Sequence, residues 1–294
     1  MAASFGGAGV HVFILCSGFG LFLSHLNKPL RYTEFLKKRF SKVYWPYALI
    51  VIVYSLWLWY ASGFEAFHAR ELLSHLLLYK MFDNSLDISI CYPFWFISTI
   101  IQFYIAWPLI VKLMQKRHGF FYALLLSVIW WIIVAILGYE DYRPWGSCFL
   151  QYLWEFALGM QLAKWYRTGA FPEIELDTKV RFGHLLVLSI VGIALTGIMG
   201  KVGGMLKLFN DIPSLIGYTS LLLVIYKLRI RKVNNLFCWS NKISYELYLV
   251  HSLVYSIIKY ILCGSVPTVV ELCICFLCAY LCAYGYYKLI QLRK

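Results

Sequence analysis

Residues 119–138, GFFYALLLSVIWWIIVAILG, run for a full membrane crossing without a charged side chain. A helix needs about 20 mostly apolar residues to cross the hydrocarbon core of a bilayer, and a helix that is apolar all round finds partners only in lipid or in other helices. Working outward, runs of similar character lie near 7–24, 43–61 and 95–113 before this stretch, and near 145–165, 183–200, 212–228, 243–262 and 266–288 after it. Short polar or Gly/Pro-containing breaks separate the last five. The sequence therefore predicts an all-α, polytopic integral membrane bundle of about nine transmembrane helices, organised as a single domain over residues 1–294 without internal repeats or low-complexity segments.

Composition leads to the same class. Of 294 residues, 61% are apolar and 14% charged, against about 45–50% and about 25% in an ordinary soluble domain. The mean hydropathy is +0.69, and 11 Trp, 23 Tyr and 21 Phe supply the aromatic side chains that gather at membrane interfaces. Soluble globular, disordered and disulfide-framework proteins are excluded. A net charge of +13 would point to nucleic acid in a soluble protein; here its placement gives another reason, and no nucleic-acid partner is expected.

Lys and Arg collect in alternate loops. The segments 28–42, 112–117, 164–181, 227–242 and 288–294 hold 21 of the 27, while the opposite segments hold Arg70, Lys80, Arg143, Lys201, Lys207 and Lys259. Basic loops are retained in the cytoplasm, so the C-terminus is expected to be cytoplasmic and Met1 external; the plasma membrane is the expected location. The connector from Trp165 to Arg181, with Glu173, Glu175 and Asp177, reads as a simple link. The longer segment from Ser62 to Pro93 includes a candidate helix from His68 to Met81, suited to lying on the membrane surface.

Ionisable groups within spans are costly, about 2.5–3.5 kcal/mol at mid-membrane, and are functional candidates for that reason. Glu155 lies ten residues into the 145–165 run, about 15 Å along a helix at 1.5 Å per residue, with Gln151 and Gly159 on its face. It reads either as a neutral structural carboxyl or as part of a polar cavity. His11, near the external end of the first run, reads as a packing or interface residue or as a functional one. Ser17-Gly18-Phe19-Gly20 follows it and permits close approach of another backbone. In the 243–262 run, Ser244, Tyr248, His251, Tyr255 and Lys259 form one polar stripe. That stripe needs a bundle interior or a water-filled cavity to face, and His251 suits proton transfer, substrate hydrogen bonding or structural pairing. Cys273, Cys275, Cys278 and Cys282 lack the paired spacing and the accompanying histidines of a zinc site. They read as packing residues, and no metal site is expected. The run Lys37-Lys38-Arg39-Phe40-Ser41-Lys42 is either an anchor to anionic lipid or a site for phosphates, to which Arg offers bidentate donors and Lys a point charge.

Four segments taken together resemble the integral-membrane acyltransferase-3 family. They are Gly9-Val10-His11-Val12-Phe13 through Ser17-Gly18-Phe19; Arg39-Phe40-Ser41-Lys42 followed by Tyr44-Trp45-Pro46-Tyr47; Trp95-Phe96-Ile97-Ser98 through Gln102-Phe103-Tyr104 and Pro108; and Ser244-Tyr245-Glu246-Leu247-Tyr248-Leu249-Val250-His251. The likeness runs in order from residue 7 to about residue 255. Two positions depart from it: Ile100-Ile101 replaces a Glu-Glu pair found in many members, and Lys42 stands where the basic motif has its second Arg. The family's first span, which carries an Arg and the proposed base His, has no counterpart here. The same deficit follows from the sidedness, so a further span upstream of Met1 is an expectation of both.

The resemblance implies transfer of an acyl group, acetyl first among candidates, from an acyl-CoA co-substrate to a hydroxyl of a cell-surface glycan or lipid-linked saccharide, with no permanently bound cofactor. It implies Arg39, Lys42 and Lys38 as donor-binding residues, His251, His11 and Glu155 as catalytic candidates, and Ser17, Trp95, Gln102, Ser244, Tyr248 and Tyr255 as cavity residues. A relative that binds without chemistry and a glycan or lipid transporter remain as alternatives.

Overall fold

A computed structural model describes residues 9–65, 68–86, 89–170, 181–263 and 266–292. The described residues form thirteen α-helices joined by turns and short 3-10 segments, with no strand among them. Six helices, including the 92–115 run that begins in a 3-10 turn, are long and apolar enough to cross a membrane, so the fold is an all-α polytopic membrane bundle. Much of the 165–181 connector and the first two residues of the 7–24 run lie outside the described residues.

Two compact units make up the chain: Met1–Leu36 with Phe96–Arg229, and Lys37–Trp95 with Ile230–Lys294. In the first unit, α1 (Gly9–Asn27) lies against α7 (Leu153–Thr168), and α8 (Phe182–Val202) against α10 (Asp211–Lys227). Both crossings are made by glycine. A Cβ on Gly18 would stand 2.1 Å from the Phe156 carbonyl oxygen, and one on Gly159 would stand 2.1 Å from that of Leu15. Gly192 and Gly217 meet in the same way between α8 and α10. With lipid outside, helices gain little from burying apolar side chains and associate through close backbone packing instead.

The same logic sets which faces point inward. On α5 (Gly119–Leu137) the buried stripe is Gly119, Ala123, Ser127, Trp131 and Val134, while Leu125, Ile129, Ile132 and Ile136 face out. On α13 (Thr268–Gln291) Cys275, Ala279 and Ala283 are buried and Leu272, Phe276 and Leu281 exposed. Apart from Trp131 and Val134 the inward residues are small and the large apolar ones face out, the reverse of a soluble helix.

The expected helix over 145–165 is corrected by the structure. Only α6 (Arg143–Gly146) and then α7 from Leu153 are helical, and residues 147–152 form turns. Side chains from α4 (Trp95–Gln115) and α5 replace the missing helical hydrogen bonds: Thr99 Oγ1 donates to the Ser147 carbonyl, the Phe149 N–H donates to Gln102 Oε1, and Ser127 Oγ donates to the Leu150 carbonyl. Irregular backbone among spans is stable only where protein satisfies it. The expected runs at 212–228 and 243–262 become α10 and α12 (Ser244–Leu262), the latter carrying the polar stripe.

In the second unit, α2 (Tyr32–Ala61) contains Pro46, which cannot supply the N–H of a helical bond. On either side of that gap, Tyr245 and Tyr286 donate hydroxyl protons to the carbonyls of Val43 and Pro46. Further along, the Tyr54 hydroxyl donates to the Ser252 carbonyl, and the Trp57 indole donates to Ser256 Oγ. The 62–93 connector holds a shorter helix than expected, α3 (Ala69–Leu76), because Leu77 ends it and Leu78 turns left-handed. Under it Lys80 is buried, its ammonium donating to the carbonyls of Ser89 and Cys91.

His75 donates from Nε2 to the same Ser89 carbonyl and lies 3.1 Å from the Tyr47 hydroxyl at Nδ1. Burial and the neighbouring Lys80 charge push its pKa down to about 3 from 6.5. The unfolded chain therefore takes up a proton that the folded one refuses, and stability present above pH 6.5 is lost as pH falls toward 3. At pH 4.5 this amounts to about 2–3 kcal/mol. Proteolysis of the 62–93 connector should accelerate between pH 7 and pH 4.5 in the wild type and much less in His75→Gln; equal acceleration would remove His75 as the cause.

Candidate functional site

The first unit brings together two of the expected residues and one that the sequence did not single out. His11 Nδ1 lies 2.8 Å from Glu155 Oε1, and His11 Nε2 lies 3.6 Å from Asp211 Oδ1. All three residues are buried. The Gly18–Gly159 crossing fixes α1 on α7 and so sets His11 over Glu155. Glu155 stands in the first turn of α7, not ten residues into a helix, so the ten-residue helical rise read from the sequence does not apply to it. Asp211 opens α10. Both carboxylates thus lie at helix N-termini, where aligned peptide dipoles favour negative charge.

Gln151, expected on the helical face of Glu155, belongs instead to the turn before α7. Its Nε2 donates to Asp211 Oδ2 at 2.7 Å and to the Leu208 carbonyl at 2.9 Å. Gln151 Oε1 and Glu155 Oε2 are buried without a hydrogen-bond partner. The Tyr152 ring packs 5.8 Å from the imidazole. Asp211 was missed because the 212–228 run starts one residue after it; an acid at such a border reads as a loop residue.

The second unit holds the other histidine and the basic run. His251 Nδ1 lies 2.7 Å from the Tyr248 carbonyl, which can only accept, so Nδ1 carries the proton. Nε2 is then the bare nitrogen, and the Ser252 hydroxyl 3.1 Å away donates to it. Tyr248 donates its own hydroxyl proton to the Pro93 carbonyl, just before Trp95, which is buried. The polar stripe on α12 divides: Ser244, Tyr248 and His251 are half-buried, whereas Tyr255 and Lys259 are exposed, with the ammonium 6.0 Å from the Tyr255 ring centre. Ser244 Oγ donates to the Asn241 carbonyl at the helix start.

Arg39 is half-buried on α2, and Lys38 and Lys42 are exposed beside it. Ser17 is half-buried on α1. Gln102 is engaged by the Phe149 N–H described above, which accounts for its polar side chain in an apolar helix. Near His251, burial pushes the Cys91 thiol up to about 11, so it stays protonated at neutral pH and is no nucleophile there.

A neutral imidazole with a fixed tautomer and a bare nitrogen can accept a proton from a hydroxyl. An imidazole facing a carboxylate from each nitrogen is differently placed: both of its ring positions are already directed at anions. The first description fits His251, the second His11. A family model described as an acyltransferase domain matches residues 1–288. No curated protein and no solved structure matches the chain.

Proposed function

The chain belongs to the membrane acyltransferase-3 family, and from that premise we propose that it moves an acyl group, acetyl first among candidates, from acyl-CoA to a hydroxyl of a cell-surface glycan or lipid-linked sugar. The observation that carries this reading is the tautomer of His251, whose bare Nε2 belongs to the same compact unit as Arg39, Lys38 and Lys42.

In this mechanism the acceptor hydroxyl takes the place that the Ser252 hydroxyl now holds at Nε2. As its oxygen bonds to the acyl carbonyl carbon, its proton passes to Nε2. The C–S bond of the donor then breaks, and the proton moves from Nε2 to the departing thiolate, giving the acyl ester and free CoA. The Tyr248 carbonyl keeps Nδ1–H in place throughout and stabilises the imidazolium that forms. Arg39 supplies paired donors to the donor's phosphates, with Lys38 and Lys42 as point charges. His11 and Glu155 stand outside the proton transfer. The lipid bilayer is the resident partner, the plasma membrane the proposed location, and the C-terminus faces the cytoplasm.

The test is transfer of label from acetyl-CoA to a glycan hydroxyl by the protein in proteoliposomes, beside direct measurement of donor binding. Arg39→Ala should weaken acyl-CoA binding by about 10–100-fold, the equivalent of a lost charge-assisted hydrogen bond of 1.5–3 kcal/mol, in protein shown to be folded. Unaltered binding in Arg39→Ala would overturn the donor assignment. Movement of the glycan across the membrane with no label attached to it would mark a transporter instead.

A further inference from the structure

We propose that His11, Asp211 and Gln151 form a binding site for a divalent transition-series cation, oriented by Glu155. The site lies wholly within the first compact unit and does not depend on the acyl-transfer reading.

Three observations carry it. The first is a distance that suits a shared ion better than a hydrogen bond. His11 Nε2 and Asp211 Oδ1 are 3.6 Å apart, longer than an N–H···O bond. Two ligands on one four-coordinate ion, each about 2.0–2.2 Å from it, stand about 3.3–3.6 Å apart. More broadly, one ligand atom each from His11, Glu155 and Asp211 lie within 4.8 Å of one another.

The second is the outer support of the ring. Glu155 Oε1 lies 2.8 Å from His11 Nδ1; an ionised carboxylate only accepts, so Nδ1 is protonated, and Nε2, on the side of Asp211, is the nitrogen that gives up its proton when a cation binds. A carboxylate holding the far nitrogen of a ligating histidine is the usual outer support of a metal site, fixing the ring and raising its basicity.

The third is a pair of buried acceptors with no donor. Gln151 is 2% exposed and Glu155 0%, yet Gln151 Oε1 and Glu155 Oε2 have no hydrogen-bond partner. The Gln151 amide is held beside Asp211 through its Nε2, which leaves its oxygen as the polar atom of that side chain still to be paired. A buried polar atom left unpaired costs about 1–3 kcal/mol, and more when charged. A cation removes both deficits: Gln151 Oε1 becomes its third protein ligand, and water in the remaining position donates to Glu155 Oε2. One divalent ion also balances two carboxylates in a low-dielectric interior. Imidazole, carboxylate and amide oxygen together suit Zn²⁺, Mn²⁺ or Fe²⁺. The sequence does not show this, because His11, Gln151 and Asp211 lie far apart in the chain and meet only in the folded unit.

The experiment uses the full chain in detergent, stripped with a chelator, loaded with Zn²⁺, desalted and assayed for bound metal. The expected result is about one equivalent retained with a raised thermal midpoint, since an ion that binds only the folded state stabilises it by mass action. Asp211→Asn and His11→Gln should retain none above background, and Glu155→Gln should bind about 10–100-fold more weakly as an orienting residue. Failure of the wild type to retain Zn²⁺, or equal retention by His11→Gln, would overturn the site. Should these variants not fold, the visible spectrum of the Co²⁺-loaded wild type decides: nitrogen and oxygen ligation supports it, and a sulfur charge-transfer band, which would place the ion on the cysteines of α13, refutes it.

Discussion

His251→Gln is expected to lower the acyl-transfer rate by about 10²–10⁴-fold, the usual worth of a positioned general base, while leaving acyl-CoA binding at the wild-type level. Gln fills nearly the same volume and can donate to the Tyr248 carbonyl as Nδ1–H does now, but its amide cannot take a proton near neutral pH. The variant therefore separates chemistry from packing. The residues proposed for the donor, Arg39, Lys38 and Lys42, stand on a different helix, so on that proposal the loss should appear in kcat with the donor Kd unmoved. Transfer within threefold of wild type would show that another group is the base. In a parallel measurement His11→Gln should leave the chemical step in place, because His11 Nδ1 and Nε2 are both turned to carboxylates. A loss in His11→Gln equal to that in His251→Gln, in protein shown to be folded, would exchange the two roles.

The fold was legible wherever a span is uniformly apolar. Residues 119–138 announce α5 because nothing in them favours water, and the six qualifying helices all coincide with runs visible in the sequence. Legibility failed where tertiary contacts replace helical hydrogen bonds. Residues 147–152 are apolar enough to continue a helix, and what ends it lies elsewhere in the chain: Thr99, Gln102 and Ser127 take the backbone groups that a helix would have paired. No window centred on residue 150 contains that information. The site shows the same division. His11, Glu155 and His251 stand out because an ionisable group in an apolar run is conspicuous by itself. Asp211 does not, since it sits at the edge of a run and gains its meaning only from what α1 and α7 bring to it.

Gly159→Leu is expected to abolish folding of the first unit, and even Gly159→Ala should cost at least about 3 kcal/mol, at the upper end of overpacking penalties. The reason is what the new atom meets. A Cβ at residue 159 would lie 2.1 Å from the Leu15 carbonyl oxygen and 2.8 Å from the Phe19 nitrogen, both backbone atoms of a packed helix. A flexible side chain could swing aside; a helical carbonyl can move only with its helix. Gly18 is the reciprocal contact, its Cβ meeting the Phe156 carbonyl oxygen, so Gly18→Ala should destabilise by a similar amount. Gly20 supplies the control, because a Cβ there meets nothing within 4 Å. Gly20→Ala should be neutral or stabilising by up to about 1 kcal/mol through its better helix propensity. Thermal unfolding in detergent of the three alanine variants reads all of this at once, and equal midpoints for Gly18→Ala, Gly159→Ala and Gly20→Ala would refute the close crossing of α1 and α7. The crossing also holds His11 on Glu155, so a Gly159→Ala protein rescued by low temperature should lose bound Zn²⁺ before it loses helical content. Loss of both together would mean that the cluster and the helix pair come apart as one unit.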